Sequence, residues 1–365
     1  MKTILIAHNY SETTFSSISF HFAHHLANLG HKVVFISHKP YFSEKQIIKT
    51  ENGEINLFSW SSEDRPTSFA DFIWFYKIYK QNKPDIVIGH FVGSNISILV
   101  SKILSFGKVK TFEYYHTLSD QILADLMKIS LKQKLFFIRK RIFYKLFCDQ
   151  LVCPSVLAKE DLELFFGIKN SFVLLNSMID RFSVKKTLST DSITISFLGR
   201  FDPSKGVIDL MEAFLKYKDK NPSSKIILNI AGGGQQTAEI EKLAKESEAI
   251  QYVGYLEYDK IDSYLNNANF TIIPSKFDNL PTVGLESLMN QTPLLISNNT
   301  GLTNYLVDGK DCFKFDPTVE SMMDLFKKVE DNFDCYTQMS IEARATFIDK
   351  FSIQRYNENF SNKIL

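Results

Sequence analysis

Apolar runs of strand length alternate with stretches of helical period along nearly the whole chain, and few architectures accept such an order. Residues 3–8 read as a strand, residues 17–29 as an amphipathic helix stopped by Gly30, and residues 32–37 as the next strand. Further strands are expected at 85–89, 110–115 and 150–153, with a helix at 95–104. A second series opens at Ile193, with strands at 193–198, 225–231, 252–253, 270–274 and 293–297. Between them lie helices at 207–217, 235–248, 258–267 and 282–291, and a turn at Gly232-Gly233-Gly234. Strand, helix and strand in succession return parallel, with the helix laid over the sheet. The expected class is therefore α/β, with two Rossmann-like domains facing each other across a central cleft. A chain of 365 residues is long for one core and comfortable for two. The expected division is 1–184, then 185–345 after a polar linker at 185–192, then a C-terminal helix at 346–365 that crosses back to the first domain.

Composition removes several classes. With 44% hydrophobic and 23% charged residues the chain reads as globular, and no window holds the roughly 18 uninterrupted apolar residues of a membrane span. The apolar start, residues 3–7, is too short for a leader and fits a first strand better. Cys148, Cys153, Cys312 and Cys335 have neither zinc spacing nor the density of a secreted disulfide framework. A cytoplasmic location is expected, with the inner face of the cell membrane as its place of contact. The net charge of +1 hides an asymmetry: residues 1–180 carry 21 Lys and Arg against 16 Asp and Glu. The first half is thus the one suited to an anionic surface or substrate.

Two stretches of the second half carry chemistry. Gly199-Arg200-Phe201-Asp202-Pro203-Ser204-Lys205-Gly206 places a guanidinium and an ammonium on a tight loop directly after a strand, at the edge where α/β sheets bind ligands. Arg200 can grip phosphate oxygens through two donors and Lys205 can act as a point charge, while the following helix start offers free N–H groups. A plain surface turn with two solvated cations is the competing reading. The second stretch runs from Asp278 to Glu286, across a loop-to-helix junction, with Asn279, Leu280, Thr282 and Val283 between them. Carboxylates suit hydroxyls, and Glu286 sits between Leu285 and Leu288 on a helix apolar enough to be buried, where an acid needs a partner. Gly232-Gly233-Gly234 lacks the full dinucleotide fingerprint, so a nicotinamide enzyme is disfavoured; a structural turn with some nucleotide contact at Gly233 is expected.

Gly199-Arg200…Lys205-Gly206, then Pro274-Ser275, then Asp278 and Glu286, resemble the second domain of the retaining GT-B glycosyltransferases of family 4, the glycosyl transferases group 1. Gly30-His31-Lys32-Val33 and residues 174–180 are similar to further segments of that family, so the likeness extends over most of the chain. The resemblance implies a transferase moving a sugar, of hexosyl type, from a nucleotide-diphosphate donor, with a UDP-sugar favoured. It implies that Gly199, Arg200 and Lys205 hold the diphosphate, that Glu286 binds ribose hydroxyls and that Asp278 contacts the transferred sugar. Val253 and Tyr255 would face the base. Asp278 stands where the family usually has Glu, Ser177 where it has Gly, and no Gly-rich loop follows the first strand, where His8-Asn9-Tyr10 and Ser16-Ser17 stand instead.

His116 and His90 each follow a strand in the first half. A donor-sugar contact is expected for His116, as in the family, and a structural role for His90. No residues have metal-ligand spacing, and neither a metal nor a cofactor is expected. Between Leu126 and Cys148 lie seven cations and no acid. Met127, Leu131, Leu135, Ile138, Ile142 and Leu146 form one helical stripe, with Phe136, Phe137, Phe143, Tyr144 and Phe147 opposite. One face can pack on the domain while the other, through residues 127–147, meets an anionic membrane; a helix buried on both sides is the plain alternative. No nucleic-acid motif is present. The expected partners are a nucleotide sugar and a glycan acceptor, lipid-linked or of the envelope. An epimerase or phosphorylase of the same fold, a silent partner subunit and a membrane-binding module are the rival readings.

Overall fold

The computed structural model of the protein describes residues 1–8, 16–37, 42, 46–60, 66–90, 92–119, 131–188 and 191–365. It divides into two compact units, Met1–Asn176 with Ile353–Leu365, and Ser177–Ser352. The division falls ahead of the 184/185 boundary expected from the polar linker. Residues 177–188 hold to the second unit: the Lys185 ammonium donates to Ala268 O at 3.0 Å and Thr292 Oγ1 at 2.6 Å, and Asn266 Oδ1 takes the Lys186 N–H.

The first unit is built on an eight-stranded sheet. In chain order its strands are β1 (Thr3–Ala7), β2 (Lys32–Ser37), β3 (Gln46–Lys49), β4 (Glu54–Ser59), β5 (Ile86–Gly89), β6 (Lys110–Tyr114), β7 (Gln150–Cys153) and β8 (Ser171–Val173). They lie in the order β3-β4-β2-β1-β5-β6-β7-β8, all parallel except the β3–β4 pair. Helices cover both faces, so the central strands are buried on both sides and read as continuous apolar runs such as Thr3-Ile4-Leu5-Ile6-Ala7. Helices Phe69–Asn82, Asn95–Leu104, Leu131–Phe147 and Val156–Phe166 pack on one side through Phe75, Ile98, Tyr144 and Leu162. On the other, Phe22 and Leu26 of helix Ser16–Asn28 meet Tyr356 and Phe360 of helix Ile353–Ile364. Helix Phe69–Asn82 escaped the sequence reading because its run of aromatic residues blurs the period; Ser68 and Asp71 start it with a capping box.

The second unit holds β9 (Ile193–Arg200), β10 (Ile226–Gly233), β11 (Ile250–Gly254), β12 (Phe270–Ile273), β13 (Leu294–Ser297) and β14 (Cys312–Phe315) in a parallel sheet. Their order is β11-β10-β9-β12-β13-β14. The order runs outward from β9 in one direction and then jumps back to start again at β12. That reversal leaves a crevice at the carboxyl ends of β9 and β12, the place where doubly wound sheets take ligands. Gly232 and Gly233 belong to β10 rather than to a turn, pairing with Gly199 and Arg200. The ladder continues because Gly232 sits at φ 136° with its missing Cβ position 1.9 Å from Gly199 O, so only glycine lets the two strand ends approach.

Candidate active site

The crevice of the second unit is a cavity of about 390 Å³. β9 delivers Gly199 and Arg200 to its rim, and the loop into helix Val207–Lys220 delivers Lys205. From beyond β12 come Ser275, Asp278, Leu280, Thr282 and Val283. The first loop is held by a short turn at 203–205, in which Asp202 accepts the Ser204 N–H at 3.0 Å. It is tied to the second by Gly206, whose φ of 68° seats it against Pro274 O, and by the Lys276 N–H donated to Ser204 O at 2.8 Å. Helix Thr282–Met289 begins at Pro281 with no side-chain cap, and Thr282 and Val283 of its first turn line the cavity.

Arg200 is largely exposed, with Asp202 3.5 Å away, so its guanidinium extends toward solvent at the rim. Lys205 and Asp278 pair with each other, Nζ to Oδ2, at 2.5 Å. The resemblance assigns them to different parts of a ligand, phosphate for one and sugar for the other. In the structure each neutralises its neighbour, and an anionic ligand would draw Lys205 away from Asp278 or bind beside the pair. Asp278 is further fixed by its backbone, whose carbonyl accepts the Gly301 N–H at 3.0 Å.

Glu286 is buried but does not line this cavity. Its carboxylate lies 3.7 Å from the Arg181 guanidinium, which binds Asp262 through Nε at 2.8 Å and Nη2 at 3.0 Å and sits over the Tyr258 ring. Burial pushes the Glu286 carboxyl up to about 7, with Arg181 opposing and Asp262 reinforcing the rise. Arg181, Tyr258, Asp262 and Asn290, whose amide bonds Asp262 at 2.9 Å, form a polar set around Glu286 that the sequence reading missed. The signal was present: Arg181 directly follows the segment at 174–180 that carries the family likeness.

The remaining expected ligand residues are dispersed. Gly233 ends β10 with open space where a Cβ would stand, its nearest neighbour being Thr237 Oγ1 at 4.0 Å. Val253 and Tyr255 flank Gly254 at the end of the edge strand and are exposed. Asn279 is buried beside Asp278. Asn9 and Tyr10 lie outside the described residues, as do residues 126–130 at the start of the basic segment.

His116 belongs to the first unit. It lines a separate cavity of about 340 Å³ with Asn95, Glu113, Phe136, Lys140 and Tyr144. The carboxyl ends of β1, β5 and β6 place His8, His90 and Tyr114 in a stack, with ring centroids 4.1 Å and 3.9 Å apart, and His116 stands 5.2 Å from Tyr114. Burial, reinforced by the Lys140 charge, lowers His116 to about 3 and keeps the ring neutral. Burial raises Glu113 to about 8 against a 2.8 Å hydrogen bond from Ser94 Oγ and the attraction of Lys140. Among the described residues no group of three or more His, Cys, Asp or Glu is placed to hold a metal. Cys148, Cys153 and Cys312 are buried free thiols, and Cys335 is free and exposed.

Two doubly wound units, with a cationic loop and an acidic loop at the switch point of the second sheet, define a GT-B fold. The family model for glycosyl transferases group 1 matches residues 178–346, and that for glycosyltransferase family 4 matches residues 18–179. The chain belongs to this glycosyltransferase family. It is 28% identical to the glycogen synthase of Mycobacterium tuberculosis over 170 residues, 44% of this chain and 40% of that one. An uncharacterised glycosyltransferase of Methanocaldococcus jannaschii is 24% identical over 236 residues, 60% of this chain and 57% of that one. The matches therefore span about half the length of these curated relatives. Among solved structures, sucrose-phosphate synthase of Thermosynechococcus elongatus superposes with a TM-score of 0.75 at 14% identity, covering 100% of this chain and 98% of that one. The Anabaena protein HepE in complex with UDP gives 0.72 at 10% identity, covering 100% and 99%. At these identities the likeness is one of fold. No described helix is long and apolar enough to cross a membrane.

Proposed function

We propose that the protein transfers a sugar, of hexosyl type and with retention of anomeric configuration, from a nucleotide-diphosphate sugar to a saccharide acceptor. The observation that carries this reading is the meeting of Arg200, Lys205, Asp278 and the start of helix Thr282–Met289 around one cavity at the switch point. Arg200 and Lys205 would bind the diphosphate and stabilise the charge that grows on it as the glycosidic bond breaks, which is where binding energy accelerates a reaction. The helix N–H groups would add to that charge stabilisation. Asp278, released from Lys205, would accept hydrogen bonds from hydroxyls of the donor sugar, and Glu286 from the ribose. The HepE complex with UDP supports a uridine donor. The net positive first half, with the cavity around His116 and Lys140, is the side suited to the acceptor, a lipid-linked or envelope glycan.

Thermal unfolding with a panel of UDP-, GDP- and ADP-sugars tests the donor. A ligand at 100 times its dissociation constant adds about 2.7 kcal/mol, enough for a clear shift. One nucleotide class should stabilise the protein, and Arg200→Ala should remove most of that shift and slow transfer by at least about tenfold. Absence of a shift with every donor, or full activity in Arg200→Ala, would overturn the assignment. Release of isomerised nucleotide sugar without an acceptor would point to an epimerase instead.

A further inference from the structure

Packing decides which of the two apolar faces of helix Leu131–Phe147 is covered. The aromatic side packs inward, with Phe137, Phe143, Tyr144 and Phe147 joining the core beneath the sheet. The aliphatic stripe faces out: Leu131, Leu135, Ile138, Ile142 and Leu146 are 74%, 58%, 54%, 50% and 64% exposed. Their spacing of four, three, four and four residues keeps them within a strip roughly 80° wide at about 100° per residue. Lys134, Arg141 and Lys145 run along one edge of the strip and Arg139 along the other, all exposed. The helix contains no Asp or Glu. Leu164 on helix Val156–Phe166 and Phe106 beyond helix Asn95–Leu104 are also exposed, at 86% and 93%.

A contiguous strip of exposed aliphatic side chains in a soluble unit needs a cover. We infer that this face docks the first unit onto an anionic lipid bilayer. The charge pattern selects that occupant: cations of one sign on both edges, with apolar side chains between, match headgroups around an acyl surface. A protein interface core would be richer in Tyr, Trp and Met, whereas the outward strip here is Leu and Ile alone. Of the aromatic residues that could have built such an interface, Phe137, Phe143, Tyr144 and Phe147 are committed to the core and Phe136 lines the cavity. The side chains of Lys140 and Tyr144, on the opposite side of the same helix, line the cavity with Glu113 and His116, so the helix would stand between that cavity and the docked surface. The inference does not rest on the donor reading, and its readout involves no nucleotide.

Flotation of the full chain with vesicles provides the test. Binding is expected to vesicles of phosphatidylcholine with phosphatidylglycerol, to weaken at high salt, and to be far lower on phosphatidylcholine alone. Ile138→Ser with Ile142→Ser, and separately Lys134→Glu with Lys145→Glu, should each lower partitioning by at least about tenfold. Both pairs are exposed, so thermal unfolding should stay unchanged, and Ile138→Leu with Ile142→Leu should bind like the parent. Equal binding by parent and variants, or no binding to anionic vesicles, would overturn the proposal. So would concentration-dependent self-association abolished by the same substitutions, which would make a second copy of the chain the cover.

Discussion

At the scale of single residues, ionisable groups are set by burial more than by their neighbours in sequence. Glu113 is the clearest case, a carboxyl at the end of β6 with Ser94 as its hydrogen-bond donor and Lys140 nearby. Its folded pKa of about 8 lies above the unfolded value of 4.5, so the folded state holds a proton the unfolded chain has lost. Between those values stability falls as pH rises, because folding must either retain that proton or bury a charge. Glu113→Gln removes the titration while keeping a group that can bond Ser94. The variant should gain stability relative to the parent between about pH 5 and about pH 8, by an amount on the order of a few kcal/mol. Denaturant titrations at the two pH values measure it, and a gap that does not change with pH would show Glu113 to be solvated and charged. The sequence placed Glu113 on a strand but carried no mark of this environment, since Ser94 and Lys140 come from other elements.

Elements rather than residues explain why the two loops of the second unit meet. Gly206 is the joint: its positive φ begins helix Val207–Lys220, and its bare Cα lies against Pro274 at the end of β12. A Cβ there would fall 2.3 Å from Pro274 O, a backbone atom that cannot swing aside. Gly206→Ala should therefore cost at least about 1–2 kcal/mol, from the left-handed conformation and the displaced strand end together. Thermal unfolding of the variant checks this, and an unshifted midpoint would mean the loop relaxes freely. The Lys-Gly pair was legible as a loop before a helix, and the Pro-Ser pair as a strand end. Their contact was not, because 68 positions of chain separate Gly206 from Pro274 and only the sheet order adjoins β9 to β12. The same holds for helix Leu131–Phe147, where periodicity identified two apolar faces and packing alone decided which one is covered.

At the scale of the whole molecule, the last helix belongs to the unit in which the chain began. Phe360 is fully buried there, stacked on Phe22 at 4.7 Å and edge-on to Tyr114 at 5.9 Å, and the Tyr356 hydroxyl bonds that of Tyr114. Phe360→Ala should cost about 3–5 kcal/mol and act on the first unit. Denaturation followed by hydrogen exchange should show lost protection in β1, β5 and β6 with the second unit unaffected; loss spread evenly over both would contradict the division. The sequence by itself determined the alternation of strands and helices, the two series, and the residue types at the switch point, because periodicity and turn chemistry are local. Tertiary structure decided that Lys205 pairs with Asp278, that Glu286 answers to Arg181, and that the aliphatic side of the basic helix faces out. Those outcomes depend on burial and on partners distant in the chain, where free energy is set by what excludes water rather than by what stands next in sequence.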